Sequence, residues 1–367
     1  LQPSSLNFVS LLLLTSSCPD LPSHHLKPKT EDFFFLTHTH LQKDCALLFK
    51  MAKIIVGLMG SSVSKGSSSV ATPSQVSSFL SVCKKHKVHE LDTARVYNEG
   101  KSEELLGSVP ERHEFAIATK APGFSPGSLS YDNIIDNCNK SVQALKLGDV
   151  GSKIDIYYFH GPDNKTPIED SCKAIDVLYK EGKFSRFGIS NLSDEVVTKI
   201  YEYCKEQKII LPSVYQGGYN PIHRNVEKTL LPLLKKYNMS FYAWGPLAGG
   251  ALAKDIDEIM NPKEGSRYQA MPYLKDHFLK DGVPQALQKI NTKCKQNNTT
   301  LLEASLRWLK HHSALKEQDG IILGASTNEQ LEANLKAAEG GPLDESLVNA
   351  FEELWDEIKH VAPAYSF

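Results

Sequence analysis

From Met51 onward, short apolar runs alternate with amphipathic stretches of helical period, and no other feature constrains the fold so tightly. Eight runs read as strands: residues 54–58, 88–92, 115–120, 154–160, 184–190, 213–217, 240–244 and 320–324. Helices are expected between them over 73–86, 130–147, 167–181, 193–207, 226–237 and 300–311. Thr72 stands at an N-cap position before Pro73, and Gly182 follows the third helix as a C-cap. Such β-α alternation implies a parallel sheet with helical crossovers. Eight strands within about 270 residues fit a closed barrel, for which ~250 residues is typical. An open doubly wound sheet usually carries GxGxxG after its first strand, and Gly57-Leu-Met-Gly60 lacks that spacing. A phosphate loop ending in Gly100-Lys101-Ser102 would need glycine at position 95, where Arg95 stands. The expected fold is therefore α/β, a (β/α)8 TIM barrel. An inserted segment over 254–283, after strand seven, is expected to cover the catalytic face. A final helix over 343–360 presents Leu347, Phe351, Leu354, Trp355 and Ile358 on one side, as core packing requires.

Composition narrows the function classes. Forty-one Lys+Arg against 43 Asp+Glu leave a charge of -2, so no global basic field points to nucleic acid or an anionic membrane. The longest apolar stretch, around Phe8 to Leu14, is too short to span a bilayer. Seven cysteines with no CxxC pair and no Cys/His cluster favour a reducing, cytoplasmic setting and no metal. Residues 1–50 begin with Leu, mix Ser, Pro and His with a Leu-rich run, and show no sustained periodicity. They read as a non-native or disordered leader, with the barrel domain over 51–367. A secretory signal is the rival reading, but no basic residue precedes Lys27.

A barrel places its chemistry at the carboxyl ends of its strands. Strand two runs out through Asp92-Thr-Ala-Arg-Val-Tyr97, strand three ends at Lys120 and strand four at His160. Each residue alone has a bland explanation: a turn aspartate, a solvated lysine, a hydrogen-bonded histidine. Together on three consecutive strand exits they do not, because a lysine beside an aspartate at a barrel mouth needs a reason to be there.

Asp92-Thr-Ala-x-x-Tyr97, Lys120 and His160 resemble the catalytic tetrad of the aldo-keto reductase superfamily. Gly188-Ile-Ser-Asn191, Tyr215-Gln216, Trp244-Gly-Pro-Leu247 and the run from Gly324 to Leu331 follow in that family's order. The stretches at 97–103, 182–191 and 241–250 resemble its aflatoxin-aldehyde reductase branch, and the likeness covers about residues 53–365. The resemblance implies NADPH-dependent reduction of aldehydes or ketones. Tyr97 would be the proton donor, its pKa lowered by Lys120; Asp92 would hold Lys120 charged, and His160 would orient the carbonyl.

For the cofactor, the resemblance assigns Ser190, Asn191 and Gln216 to the nicotinamide carboxamide and Trp244 to the shelf beneath the ring. Gly245, Leu247, Gly249 and Lys254 fall on the loop over the pyrophosphate. Gly324, Ser326, Thr327, Gln330 and Asn334 surround a helix N-terminus expected to hold the 2′-phosphate, assisted by Arg267. The loop at 251–254 is one residue shorter than the branch pattern, and Tyr273 and His277 are approximate counterparts of its substrate-binding residues. The end of the chain lacks an arginine that often pairs a substrate carboxylate in that branch, so apolar or aromatic aldehydes and dicarbonyls are expected over acidic ones. A nucleotide-binding regulatory subunit with little turnover, as in the potassium-channel β subunits, is the alternative on the same barrel. The sequence carries no interface signal; related barrels occur as monomers and homodimers.

Overall fold

The structure is a computed structural model and describes residues 51–59, 72–148 and 152–367. The expected leader, residues 1–50, lies outside the described residues. Eight strands, β1 Lys53–Gly57, β2 Glu90–Asp92, β3 Ala116–Ala121, β4 Ile154–Phe159, β5 Phe184–Ser190, β6 Pro212–Gly218, β7 Ser240–Trp244 and β8 Gly320–Gly324, close into a barrel in chain order. Every pairing is parallel, and β1 meets β8 in register from Lys53↔Gly320 to Gly57↔Gly324.

Thirteen α-helices follow among the described residues. They are α1 Pro73–Lys85, α2 Lys101–Gly107, α3 Tyr131–Ala144, α4 Ile168–Lys180, α5 Asp194–Glu206, α6 Leu230–Lys236 and α7 Ile256–Met260. The remainder are α8 Arg267–Ala270, α9 Tyr273–Phe278, α10 Val283–Gln296, α11 Leu301–His311, α12 Asn328–Ala338 and α13 Glu345–Ile358. Thr72 caps α1 as its residue type predicts, its hydroxyl accepting from the Gln75 amide at 3.3 Å.

Strand alternation divides the core in two. Outward side chains pack under the helices in one continuous cluster that includes Val56, Leu91, Phe159 and Ile189. Inward ones, Ile55, Ala118, Ile156, Tyr158, Val214, Tyr242 and Ile322, fill the barrel. Gly188 makes room there, since a Cβ would lie 2.3 Å from the Tyr158 ring. One further inward step toward the carboxyl end brings Lys120, His160, Ser190, Gln216 and Trp244 into the mouth, so one period of two fills the barrel and aims its polar residues.

Two helix expectations change. The helix expected over 130–147 ends at Ala144, because Lys146 and Gly148 turn left-handed at φ 49° and 107°. Leu145 and Leu147 are buried beyond its end, and so continue the apolar pattern without continuing the helix. The helix expected over 226–237 becomes a short 3-10 turn, Asn225–Glu227, and then α6 from Leu230. Pro232 has no amide hydrogen and fits only the first turn of a helix, which sets that start. The inserted segment carries three short helices, α7, α8 and α9, over the carboxyl face, with Tyr268 donating to the Ala248 carbonyl at 2.8 Å. Among the described residues no helix is long and apolar enough to cross a membrane.

Candidate active site

The mouth of the barrel opens into a cleft of about 1200 Å³ running from Phe124 and His160 to Gln330 and Asn334. Every residue assigned in the sequence to catalysis or cofactor binding lines it except Lys120 and Ser190, which are fully buried behind its wall.

At the floor, Lys120 Nζ donates to Asp92 Oδ1 at 2.6 Å and to the Thr93 carbonyl at 2.7 Å, and lies 3.5 Å from the Tyr97 hydroxyl. The other Asp92 oxygen accepts from Gln216 Nε2 at 2.8 Å. Burial works against the ammonium, yet Asp92 and Tyr97 outweigh it and hold the Lys120 pKa above its ordinary value. Tyr97 departs from expectation. Burial, joined by the Asp92 carboxylate, raises its pKa more than Lys120 lowers it, so the hydroxyl lies above its ordinary value, with Arg267 adding a smaller downward pull. The lowering expected from Lys120 exists, but burial and Asp92 together outweigh it. Tyr97 is thereby kept protonated, the form a proton donor needs.

His160 meets Tyr97 edge-on, with ring centroids 5.8 Å apart, and Phe124 edge-on at 5.6 Å. Burial, aided by Lys120, pushes its pKa down to about 3, so the ring is neutral. Its buried Nδ1 has no hydrogen-bond partner. Asn191 stands at φ 61°, a strained backbone for a non-glycine residue at a strand exit. Its amide nitrogen donates to the His160 carbonyl and to Ser190 Oγ, both at 2.9 Å, while its Oδ1 accepts from Trp244 Nε1 at 3.1 Å. The residues assigned to the carboxamide are thus also the ones that fix one another.

Along the cleft, Gly245, Gly249 and Gly250 take positive φ, which lets the backbone turn beneath the insertion. Lys254 is exposed at the rim. Arg267 reaches across to Met59, Nη2 lying 3.8 Å from its sulfur, and its buried Nε is without a partner. Its charge also exerts a small downward pull on the Tyr97 pKa. At the far end Thr327 caps α12 by accepting from the Gln330 amide at 3.2 Å. Gln330 accepts in turn from the Ser326 amide at 3.0 Å, and buried Asn334 donates to the Gly324 carbonyl at 3.1 Å.

Sequence reasoning missed the apolar side of the cleft. Val96, Phe124 and Phe367 are 49%, 50% and 67% exposed and line it. Phe124 and Phe367 form an edge-to-face pair at 5.5 Å. The only signal in the sequence was an apolar residue in each of several loops, which is commonplace. Tyr273 lines the cleft, 58% exposed, and His277 packs beside His223 and Phe278.

The sequence pattern that defines the Aldo/keto reductase family matches residues 53–356. The chain is 38% identical over 293 residues to human "Aldo-keto reductase family 7 member A3", covering 75% of this chain and 87% of that protein. It is 36% identical over 304 residues to "Oxidoreductase sirO" of Leptosphaeria maculans, covering 80% and 90%. Mouse "Aflatoxin B1 aldehyde reductase member 2" is 36% identical over 294 residues, covering 75% and 78%. With that match laid over a closed eight-stranded barrel and a cleft at its carboxyl end, the chain belongs to the Aldo/keto reductase family and is an oxidoreductase.

Proposed function

We propose that this protein reduces aldehydes or ketones to alcohols with NADPH, Tyr97 supplying the proton. The observation that carries the reading is the buried Asp92–Lys120–Tyr97 chain, with lengths of 2.6 and 3.5 Å, opening beside a neutral His160. Bound NADPH supplies the hydride. Its long anionic body suits a cleft lined by Lys254, Lys263 and Arg267, whose orphaned Nε calls for an acceptor. The Trp244 indole at the β7 exit is the aromatic surface available to a nicotinamide ring.

As the carbonyl carbon gains its hydride, the π electrons pass to oxygen, and Tyr97 gives its hydroxyl proton to that oxygen. Lys120 stabilises the phenolate left behind, and Asp92 keeps Lys120 charged. His160, neutral and with a ring nitrogen available, positions the carbonyl oxygen by hydrogen bonding. The apolar rim of Phe124 and Phe367 supports apolar or aromatic carbonyl substrates over acidic ones. The five free, buried cysteines among the described residues support a reducing location such as the cytoplasm.

NADPH oxidation assayed across aldehydes, diketones and acidic semialdehydes, then repeated with NADH, tests this reading. Rapid turnover with NADPH and aromatic aldehydes is expected. Tight nucleotide binding with negligible turnover would instead identify a cofactor-sensing subunit.

A further inference from the structure

The loop that carries Tyr97 adopts a conformation its own residues disfavour. Asn98, Glu99 and Gly100 follow one another at φ 51°, 55° and 89°. Two of the three are non-glycine residues in the left-handed region, and such backbone persists only where the surroundings over-determine it. The structure shows what does so. Glu103, in the first turn of α2, is fully buried. Its Oε2 accepts from Arg95 Nη1 at 2.5 Å and its Oε1 from Thr119 Oγ1 at 2.6 Å. The Arg95 guanidinium lies so close over Gly100 that a Cβ there would stand 1.9 Å from Nη2.

Thr119 immediately precedes Lys120 on β3. Successive side chains on a strand point to opposite faces, so Thr119 faces the helices while Lys120 faces the barrel. From the inside, Lys120 holds the Thr93 carbonyl at 2.7 Å. From the outside, Thr119 holds Glu103, which holds Arg95. The segment from Thr93 to Glu103 is therefore fastened to β3 on both of its faces, with Tyr97 between Thr93 and Glu103.

We propose that the Arg95–Glu103 ion pair, its carboxylate fully buried and seated on Thr119, is a positioning device that sets the Tyr97 hydroxyl against Lys120. This rests on the reading of Tyr97 as proton donor. Neither residue touches the reacting atoms. The pair acts through the 3.5 Å separation of Tyr97 and Lys120, over which the ammonium stabilises the phenolate formed in the transition state.

The test uses the full chain with NADPH and an aldehyde. Glu103→Gln keeps the shape and the Thr119 bond but removes the ion pair. Its kcat should fall about tenfold or more, with both KM values within about threefold, as for a group that acts on the transition state. The alkaline limb of kcat should move to higher pH, because Tyr97 loses part of its stabilisation by Lys120. Arg95→Lys, which keeps the charge, should retain more turnover than Arg95→Met. Wild-type kcat and an unmoved alkaline limb in Glu103→Gln, whatever its Tm, overturn the proposal; so does equal kcat in the two Arg95 variants. If Glu103→Gln does not fold, Thr119→Val serves instead: a several-fold loss of kcat supports the device, and unchanged kcat overturns it. Tyr97→Phe assayed alongside separates the two claims. Retained turnover there removes the proton-donor reading itself, whereas an inactive Tyr97→Phe beside an unimpaired Glu103→Gln removes only the positioning role.

Discussion

Lys120 Nζ sits 2.6 Å from Asp92 Oδ1, and both side chains are withdrawn from solvent at the floor of the cleft. A buried pair of this kind is costly to break from one side, since the remaining charge loses its only strong compensation. Lys120→Met is expected to lower kcat by about 100-fold or more. Loss of one partner should also destabilise the protein by roughly 3–5 kcal/mol. Steady-state kinetics and thermal unfolding measure the two together; near-wild-type turnover would remove Lys120 from the mechanism.

Tyr97→Phe deletes one hydroxyl and little volume. Turnover should fall about 10²–10⁴-fold, while NADPH affinity, followed by quenching of tryptophan fluorescence, stays within roughly threefold. Parallel loss of binding and turnover would mean that Tyr97 holds the nucleotide instead of donating the proton.

His160 and His223 are both kept neutral by burial, their pKa values pushed down to about 3 and about 4. In the unfolded chain an imidazole titrates near ~6.5, so the unfolded state binds more protons than the folded one between these limits. The stabilisation is fully present above about pH 6.5 and is lost as pH falls through the window below it. Tm should therefore be flat in this respect above neutrality and decline on acidification, at up to ~1.4 kcal/mol per pH unit for each histidine. His223→Phe, which suits the aromatic contacts to Trp244 and Phe278, should flatten that decline. An identical acid slope would show that His223 does not contribute to it.

Phe124 and Phe367 stand edge to face beside His160, at the end of the cleft where a carbonyl substrate would enter. Their replacement by alanine should raise KM for an aromatic aldehyde about tenfold, in keeping with the ~1.5–3 kcal/mol that a buried apolar group contributes. KM for a two- or three-carbon aldehyde should hardly change. Equal effects on both would show that the ring pair supports the fold, not specificity.

All eight strands lie at or after Lys53, and the β1–β8 pairing closes the barrel with no earlier residue. A chain of residues 51–367 is therefore expected to melt at the same temperature as the full sequence and to keep its activity. A collapsed transition in calorimetry would show that the first fifty residues belong to the folded unit.

The sequence by itself determined the barrel through local patterns and put four polar side chains at its strand exits, which the resemblance then read as a tetrad. A short apolar run marks a buried strand, a 3.6-residue repeat marks a helix, and a barrel gathers its chemistry at the carboxyl ends of its strands. Asp92, Tyr97, Lys120 and His160 could thus be found without knowing what lay across the barrel. Local pattern failed where the next residue contradicted it, as when Leu145 and Leu147 continued an apolar rhythm past a helix that Lys146 had already turned. Only the tertiary structure decided the balance at Tyr97, since burial and the charges of Asp92, Lys120 and Arg267 act together there. It also decided that Arg267 reaches Met59, that Phe367 meets Phe124, and that Glu103 ties Arg95 to Thr119. Distances and desolvation depend on how elements far apart in sequence are brought together, which a pattern read along the chain does not encode.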